Sequence, residues 1–448
     1  VIAVFRIAAW LGAERATAYA RILFVVMGVG LVFDATSTVL GHHPWGAALG
    51  PARLPAATDF LAFWAAGQLA WAGHAARVYD LMALAAVERA TAILPAGTLL
   101  AFFYPPTFLL LCLPFAAVPY LLGWAAFVVL PLAALAAGLR RILPDAWRGS
   151  GAWSLWGFLP VAAFPGLMMN TATGQTGFWS GACFAWALIW LESRPALAGA
   201  CLGMLVIKPH LAIAVPVVLV AARRWRALAA CAATAGLWMA LSWLALGGAA
   251  WRGFFAAAPN VRDALENHHE DWSKLQSVYT SVRLMGGPLA AAYGAQLVTA
   301  ALVLAALAVV AWRRPGARAE MAAMVAGAML CTPHILDYDL AALGVPLAWL
   351  AGCAARDGWR PWEKLVAGVA FLWPLVARLV TLEGVAVAPL VLGALFWVVV
   401  RRTGGRKSFF SEEKKQKTFV SAVGDLPAAY PKLQRFFGSF LQARTASL

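Results

Sequence analysis

Apolar runs long enough to enter a lipid bilayer recur along the whole chain, separated by short polar breaks. They lie at roughly 22–40, 106–119, 121–139, 153–169, 175–191, 195–222, 227–246, 290–312, 319–333, 336–353, 363–380 and 384–400. A hydrocarbon core of about 30 Å takes about 20 helical residues. In lipid each segment must satisfy its own backbone groups, so the pattern predicts an all-α polytopic membrane protein with about 10–13 transmembrane helices. Two stretches are too polar for lipid and read as larger outer loops. The first, 42–105, carries Asp59 with helices expected over 59–72 (amphipathic) and 80–93. The second, 247–289, carries Asn260, Asp263, Glu266, His268, His269, Glu270, Asp271 and Arg283.

Two places in this pattern admit more than one path. The run 195–222 is bounded by Arg194 and by Arg223-Arg224 and is broken at Lys208-Pro209-His210. Either two half-length helices meet at the proline and return the chain to its starting side, or a single bent span crosses. If both 106–119 and 121–139 cross from an outer loop, Arg140 and Arg141 land outside, against the positive-inside trend.

Composition agrees with the pattern. Of 448 residues, 62% are hydrophobic and 12% charged, and mean hydropathy is +0.75; soluble domains carry about twice that charged fraction. The net charge of +15 speaks of membrane orientation and anionic lipid rather than nucleic acid. Its arginines cluster at segment ends: Arg140, Arg141 and Arg148; Arg223, Arg224 and Arg226; Arg313, Arg314 and Arg318; Arg401, Arg402 and Arg406. Residues 1–400 form the membrane domain. Residues 401–448, with ten basic and three acidic side chains, form a basic cytoplasmic tail, disordered or helical on a membrane surface. The mixed charges of residues 1–21 argue against a cleavable signal peptide, and Val1 at the start suits a fragment, a processed form or a non-AUG start. Six cysteines lie in or beside apolar runs without metal spacing, so neither disulfide nor zinc is expected.

Polar residues inside such a chain are candidate chemistry. Asp59, in Thr58-Asp59-Phe60-Leu61-Ala62-Phe63-Trp64, either caps the helix begun there or serves as a base at the membrane rim. Lys208 is costly in a bilayer, about 2.5–3.5 kcal/mol on insertion scales. It either clamps a phosphate beside the irregular backbone of Pro209 and His210 or snorkels to an interface. His334, Asp337, Tyr338 and Asp339 make a dense polar island that could contact substrate or cap a helix. Gln175 comes after Gly174 in a polar turn and either bonds substrate or serves the turn alone. Tyr104 precedes Pro105-Pro106 at a helix start and suits an interfacial belt. His268-His269-Glu270-Asp271 lacks a second ligand set, so no metal is assigned. Asp34, inside the first span, reads as a structural carboxylate that is neutral or hydrogen-bonded.

Asp59-Phe60-x-x-Phe63-Trp64, Tyr104-Pro105-Pro106, Gly174-Gln175, Lys208-Pro209 and His334-x-x-Asp337-Tyr338-Asp339 occur in an order that resembles glycosyltransferase family 87 over about residues 20–400. That family includes a polyprenol-phosphate-mannose-dependent mannosyltransferase. The resemblance implies a GT-C-type helix bundle in a bacterial inner membrane with its active site facing the periplasm or cell exterior. It implies a polyprenyl-phosphate sugar donor, mannose favoured among hexoses and pentoses, and a lipid-linked or cell-envelope glycan acceptor. Transfer would invert the anomeric centre without a metal or cofactor.

Under the resemblance Asp59 is the base and His334 the second catalytic position. Tyr104, Gln175, Lys208, His210, Arg283, Asp337, Tyr338 and Asp339 are then substrate-binding, with Lys208, Arg283 and His334 facing the departing phosphate. The abundant aromatic side chains would groove the polyprenyl tail. His210 stands where glutamine or leucine is more usual, and Thr176-Gly177 where an asparagine is common. The alternative reading is a transporter or flippase of a polyprenyl-linked sugar, which also wants broken helices and midplane polar groups. A non-catalytic scaffold is a third.

Overall fold

A computed structural model describes residues 8, 10–39, 58–92, 94, 100–144, 159–267, 271–382, 384 and 387–404. The cluster His268-His269-Glu270, residues 42–57 of the first outer loop, the side chain of Asp34 and nearly all of the basic tail lie outside the described residues. The chain divides into two compact units, Val1–Val399 and Val400–Leu448, and the packed helix bundle belongs to the first.

The described part is all helical, in chain order α1 (Ala13–Val39), α2 (Thr58–Trp71), α3 (Leu81–Thr91), α4 (Pro106–Ala116), α5 (Tyr120–Ile142), α6 (Leu159–Ala162), α7 (Gly166–Thr173), α8 (Gly177–Trp190), α9 (Pro195–Gly203), α10 (Ala214–Ala221), α11 (Trp225–Ala256), α12 (Ala258–Glu266), α13 (Val278–Leu284), α14 (Leu289–Trp312), α15 (Ala317–Ala328), α16 (Gly344–Asp357), α17 (Glu363–Leu382) and α18 (Ala388–Gly404). Tight 3-10 turns interrupt them at Ala75–Tyr79, Met204–Ile207, Pro209–Ala212, Trp272–Lys274 and Asp337–Leu343. Among the described residues six helices are long and apolar enough to cross a membrane, and four shorter apolar helices accompany them. The chain is thus an all-α polytopic membrane protein.

The short helices resolve both ambiguities in the hydrophobic pattern. Helix α4 has 11 residues, about 16 Å at 1.5 Å per residue and half a bilayer core. It lies antiparallel on α2, where Trp71 Nε1 donates to Leu113 O and Trp64 Nε1 to Val118 O. The crossing belongs to α5, which runs parallel to α8: Trp186 Nε1 donates to Ala134 O, and the Arg141 guanidinium lies 4.6 Å from the Trp186 ring centroid. Arg140 and Arg141 therefore share an end of the bundle with Glu192 and Arg194.

The broken run 195–222 returns to its starting side. Glu192, just before α9, and Arg224, just after α10, are paired at 3.2 Å. Lys208 is consequently the tip of a re-entrant hairpin. Helix α9 can lie close to α11 because Gly199 and Gly203 present no Cβ to the carbonyls of Ala227 and Cys231, where one would clash.

Two further hairpins enter from the same basic end. Helix α15 rises from Glu320, which is bonded to Arg224 at 3.0 Å, and α16 descends to Gly352, against Ile142 at the foot of α5. Helices α7 and α8 form the third, turning at Gly174. Its φ of 66° and ψ of 42° lie in the left-handed region that glycine occupies without a steric penalty. Around these hairpins stand the long helices α5, α11, α14 and α17; α11 is kinked at Gly247, with φ 78° and ψ 160°.

Helix α2 differs from its expected role. The sequence pattern predicts an amphipathic surface helix, yet Phe60, Leu61, Ala62, Phe63, Ala65 and Ala66 are all buried. Contact with α4, α5 and the turn 75–79 covers it on most sides. Phe63 packs edge-on against Phe108 at 4.9 Å and Tyr104 at 5.2 Å, and Phe60 lies 5.2 Å from Phe127. These rings fill a core and hold the start of α2 in place; they do not line a groove. The second outer loop folds over the opposite side, where Gln276 N donates to Ile335 O and Leu275 bridges Leu336.

Candidate active site

The three hairpin tips meet, and they do so through side chains that the surrounding apolar packing cannot satisfy. With the tips taken in chain order (α7–α8, then α9–α10, then α15–α16), Asn170 on the first is fully buried. Its Oδ1 accepts from Gly177 N at 2.7 Å, and its Nδ2 donates to Tyr338 O on the third tip, also at 2.7 Å. Gly177 is glycine for a local reason: a Cβ there would run into Tyr338 O and the Asn170 amide.

The second tip presents Lys208 between two 3-10 turns, with a proline next in line that has no N–H to donate. Lys208 is 2% exposed. Its ammonium donates to Asp339 Oδ1 at 2.5 Å and Thr176 Oγ1 at 3.3 Å, and sits 4.4 Å from the Tyr338 ring centroid. A buried lysine needs such compensation, because an isolated ammonium in apolar surroundings would lose its proton. On the third tip Asp339 is buried, and its Oδ2 also accepts from Leu336 N at 3.2 Å, so the acid is anchored from both sides.

Asp59 joins from α2, half-buried in the first helical turn, where the helix dipole favours negative charge. Its Oδ2 accepts from Gln175 Nε2 at 3.1 Å, while the Tyr104 hydroxyl donates to Gln175 Oε1 at 3.2 Å. The Tyr104 hydroxyl also lies 3.5 Å from both Thr176 Oγ1 and the Tyr338 hydroxyl. Asp59, Gln175, Tyr104, Thr176, Lys208 and Asp339 thus form one continuous polar chain. Burial pushes the Tyr104 phenol well above the ordinary tyrosine range, so it remains a donor.

The imidazoles of His210 and His334 face each other with centroids 5.9 Å apart and planes at 80°. Burial, with the Lys208 ammonium adding to it, holds His334 down at about 4 despite the opposing pull of Asp339. His334 is therefore neutral at pH 7.

Asp337 is turned to another face of the same turn, bonded through Oδ2 to Arg378 Nη2 at 2.7 Å and Nε at 2.9 Å. Arg283 is placed elsewhere. It donates to Gly287 O at 3.2 Å and Glu266 O at 3.5 Å and lies over the Trp272 ring, bracing the second outer loop.

Nine of the ten sequence candidates, all except Arg283, thus gather on or around the tips. Three further residues belong beside them. Asn170 and Thr176 stood in a polar run flanked by apolar segments, and Arg378 is a charge deep in the apolar run 365–382, which is a signal in its own right in a membrane protein. Among the described residues no group of three His, Cys, Asp or Glu side chains could hold a metal ion.

Fold and site together define a multi-pass membrane protein with a largely buried polar cluster where the tips of re-entrant helices meet. Residues 102–333, just over half of the chain, match the model of glycosyltransferase family 87, and the chain belongs to that family. It is a membrane glycosyltransferase. The match includes Tyr104, Gln175, Lys208, His210 and Arg283; Asp59 precedes it and His334 comes directly after it. No curated protein and no solved structure matches the chain.

Proposed function

We propose that this glycosyltransferase moves a sugar, mannose favoured, from a polyprenyl-phosphate donor to a lipid-linked or cell-envelope glycan acceptor, with inversion at the anomeric carbon. The observation that carries this reading is the position of Asp59. It is a half-exposed carboxylate held by one hydrogen bond from Gln175, at the edge of a cluster whose far side carries Lys208 and two imidazoles. A base on one side and cationic or N–H groups on the other are what an in-line displacement requires.

In the reaction Asp59 takes the proton of the acceptor hydroxyl as its oxygen attacks C1 from the face opposite the phosphate. The C1–O bond to phosphate breaks, and the lipid phosphate leaves with the bonding pair. Lys208 and His334 stabilise it with charge and N–H donors set in place beforehand. Lys208 is oriented by Asp339, Thr176 and the Tyr338 ring, and Gln175 and Tyr104 orient Asp59. Arg283, engaged in the outer loop, acts on the loop and not on the phosphate. The leaving group is already a stabilised phosphate anion, so the step needs no metal in principle.

The arginine-rich hairpin ends read as cytoplasmic by the positive-inside trend. That orientation directs the tips toward the periplasm or cell exterior of a bacterial inner membrane, where a polyprenyl-linked donor and an envelope acceptor meet.

The test is transfer from labelled polyprenyl-phosphate mannose to a membrane glycolipid extract by purified wild type and Asp59→Asn. Product from wild type and at least a thousandfold loss in the variant supports the reading. Equal product removes Asp59 as base. If wild type is inactive with mannose but active with another polyprenyl-phosphate sugar, the donor class stands and mannose does not.

A further inference from the structure

His210 is a residue at the tips whose hydrogen-bonding capacity is unspent among the described residues. Its Nε2 is sealed from solvent without a partner, and neither ring nitrogen bonds any described residue. Its neighbours Lys208, Thr176, Gln175 and Asp339 all have partners within 3.3 Å, and the unpartnered Asp337 Oδ1 belongs to the carboxylate turned toward Arg378. Buried polar atoms without partners are rare enough in folded proteins that each calls for an explanation, and a ligand group is one.

The charges around His210 say what kind of group fits. The Lys208 ammonium is matched by Asp339, and Asp59 adds a negative charge. His334 contributes none near neutral pH. An anionic phosphate entering this cluster therefore cannot rely on an unmatched lysine, and it needs N–H donors that do not depend on a spare positive charge. A neutral imidazole supplies one from a single nitrogen. His210 lies two positions beyond Lys208, and its ring packs edge to face with that of His334 where the second and third tips meet.

We propose that His210 contacts the lipid donor's phosphate, its imidazole N–H donating to a phosphate oxygen seated beside the His210–His334 ring pair. This rests on the proposed use of a lipid-phosphate donor and adds a specific residue to it. His210 serves binding and leaving-group stabilisation; the proton taken from the acceptor still goes to Asp59.

The test uses the purified full-length protein in nanodiscs, with farnesyl phosphate as probe and farnesol and inorganic phosphate as its two halves. Binding is measured for wild type, His210→Leu and His210→Gln. Leucine has a similar volume and no donor, whereas glutamine keeps an N–H of similar reach.

Wild type is expected to prefer farnesyl phosphate over farnesol. His210→Leu should weaken farnesyl phosphate about tenfold and leave farnesol unchanged, the size of one hydrogen bond to a charged group. His210→Gln should retain most of the preference. Unchanged farnesyl phosphate binding in His210→Leu overturns the role of His210 while the donor reading stands. Equal loss of farnesol and farnesyl phosphate assigns His210 to packing and also overturns the proposal. Inorganic phosphate competing as well as farnesyl phosphate would make free phosphate, not the lipid, the ligand of this seat. A wild type that does not discriminate the phosphate from the alcohol overturns the donor reading and this proposal together.

Discussion

Two buried ion pairs mark opposite ends of the same hairpins, and they are put to different uses. At the basic end Arg224 spans Glu320 and Glu192, with N–O distances of 3.0 and 3.2 Å to Glu320 and 3.2 Å to Glu192. Glu320 is buried, and Arg223 beside the pair lies over the Trp312 ring. This pair fastens the feet of two hairpins. At the tips Lys208 and Asp339 are as deeply buried, but around them stand a half-exposed carboxylate, two facing imidazoles and a tyrosine whose hydroxyl reaches three side chains. A buried charge pair alone does not identify an active site; unspent donors and acceptors beside it do. The two ends can be set against each other experimentally.

The largest contrast is expected between Asp59→Asn and Glu320→Ala. The first should reduce transfer at least about 10³-fold with little change in melting temperature, consistent with loss of a general base. The second leaves Arg224 short of its main partner and should destabilise by about 3 kcal/mol, with activity per folded molecule retained. Transfer assays on thermally characterised protein read both.

Replacing each pair by uncharged residues sharpens the comparison. Buried ion pairs can often be exchanged for packed apolar groups without loss of stability. Lys208→Met with Asp339→Leu should therefore fold, yet fall about 100-fold or more in kcat. Arg224→Met with Glu320→Gln should fold and remain within a few-fold of wild type. Similar activity in both double variants would make the tip pair a strut like its counterpart.

A smaller effect separates two close-packed glycines. Gly177→Ala pushes a Cβ into Tyr338 O and the Asn170 amide, parting the first and third tips, and should lower kcat about tenfold from misplacement at the site. Gly199→Ala acts on the α9–α11 contact near the basic end and should lower the melting temperature while changing kcat little. Steady-state rates and thermal melts on the two variants check this.

The smallest effect is a pH dependence that belongs to the tips. The folded pKa of His334, about 4, lies below the ordinary value of 6.5, so the unfolded chain takes up its proton first as pH falls. The stability linked to the neutral imidazole is present above about pH 6.5 and lost as pH drops toward 4. Between pH 7 and pH 5 that amounts to about 1–2 kcal/mol. His334→Gln should show a shallower loss in melting temperature over that interval than wild type, and equal slopes would remove His334 as its source.

Particular residues show how much of this was legible in the chain. Six of the twelve apolar runs were legible as spans, because a 20-residue apolar run with few charges has few folded alternatives to a membrane helix; among the described residues the others fold as shorter helices. The helix starts at Pro106 and Pro195 and the turn at Gly174 were also readable, since proline and glycine restrict or extend local backbone freedom. The re-entrant path of 195–222 was readable only as one of two options, for Pro209 breaks a helix in either case. The pairing of Glu192 with Arg224 decides it, and that contact lies outside any local window.

Asp59, Lys208 and His334 could be singled out because polar side chains in an apolar chain are costly and therefore informative. Arg283 carried the same signal and instead braces a loop, since charge and position do not say what a side chain will meet. Arg378 was passed over inside a convincing span; its partner Asp337 lies 41 residues away.

Read alone, the amino-acid sequence establishes that this protein lives in a membrane and which few polar residues had to find partners there. Those properties come from local composition and backbone chemistry. Tertiary structure alone decided that three hairpins rise from one basic end to a common meeting point, that Lys208 is matched by Asp339, and that His210 is left unmatched. These depend on contacts between segments up to 168 residues apart, and a pattern of hydrophobic and polar positions records how much each segment must bury without recording against what.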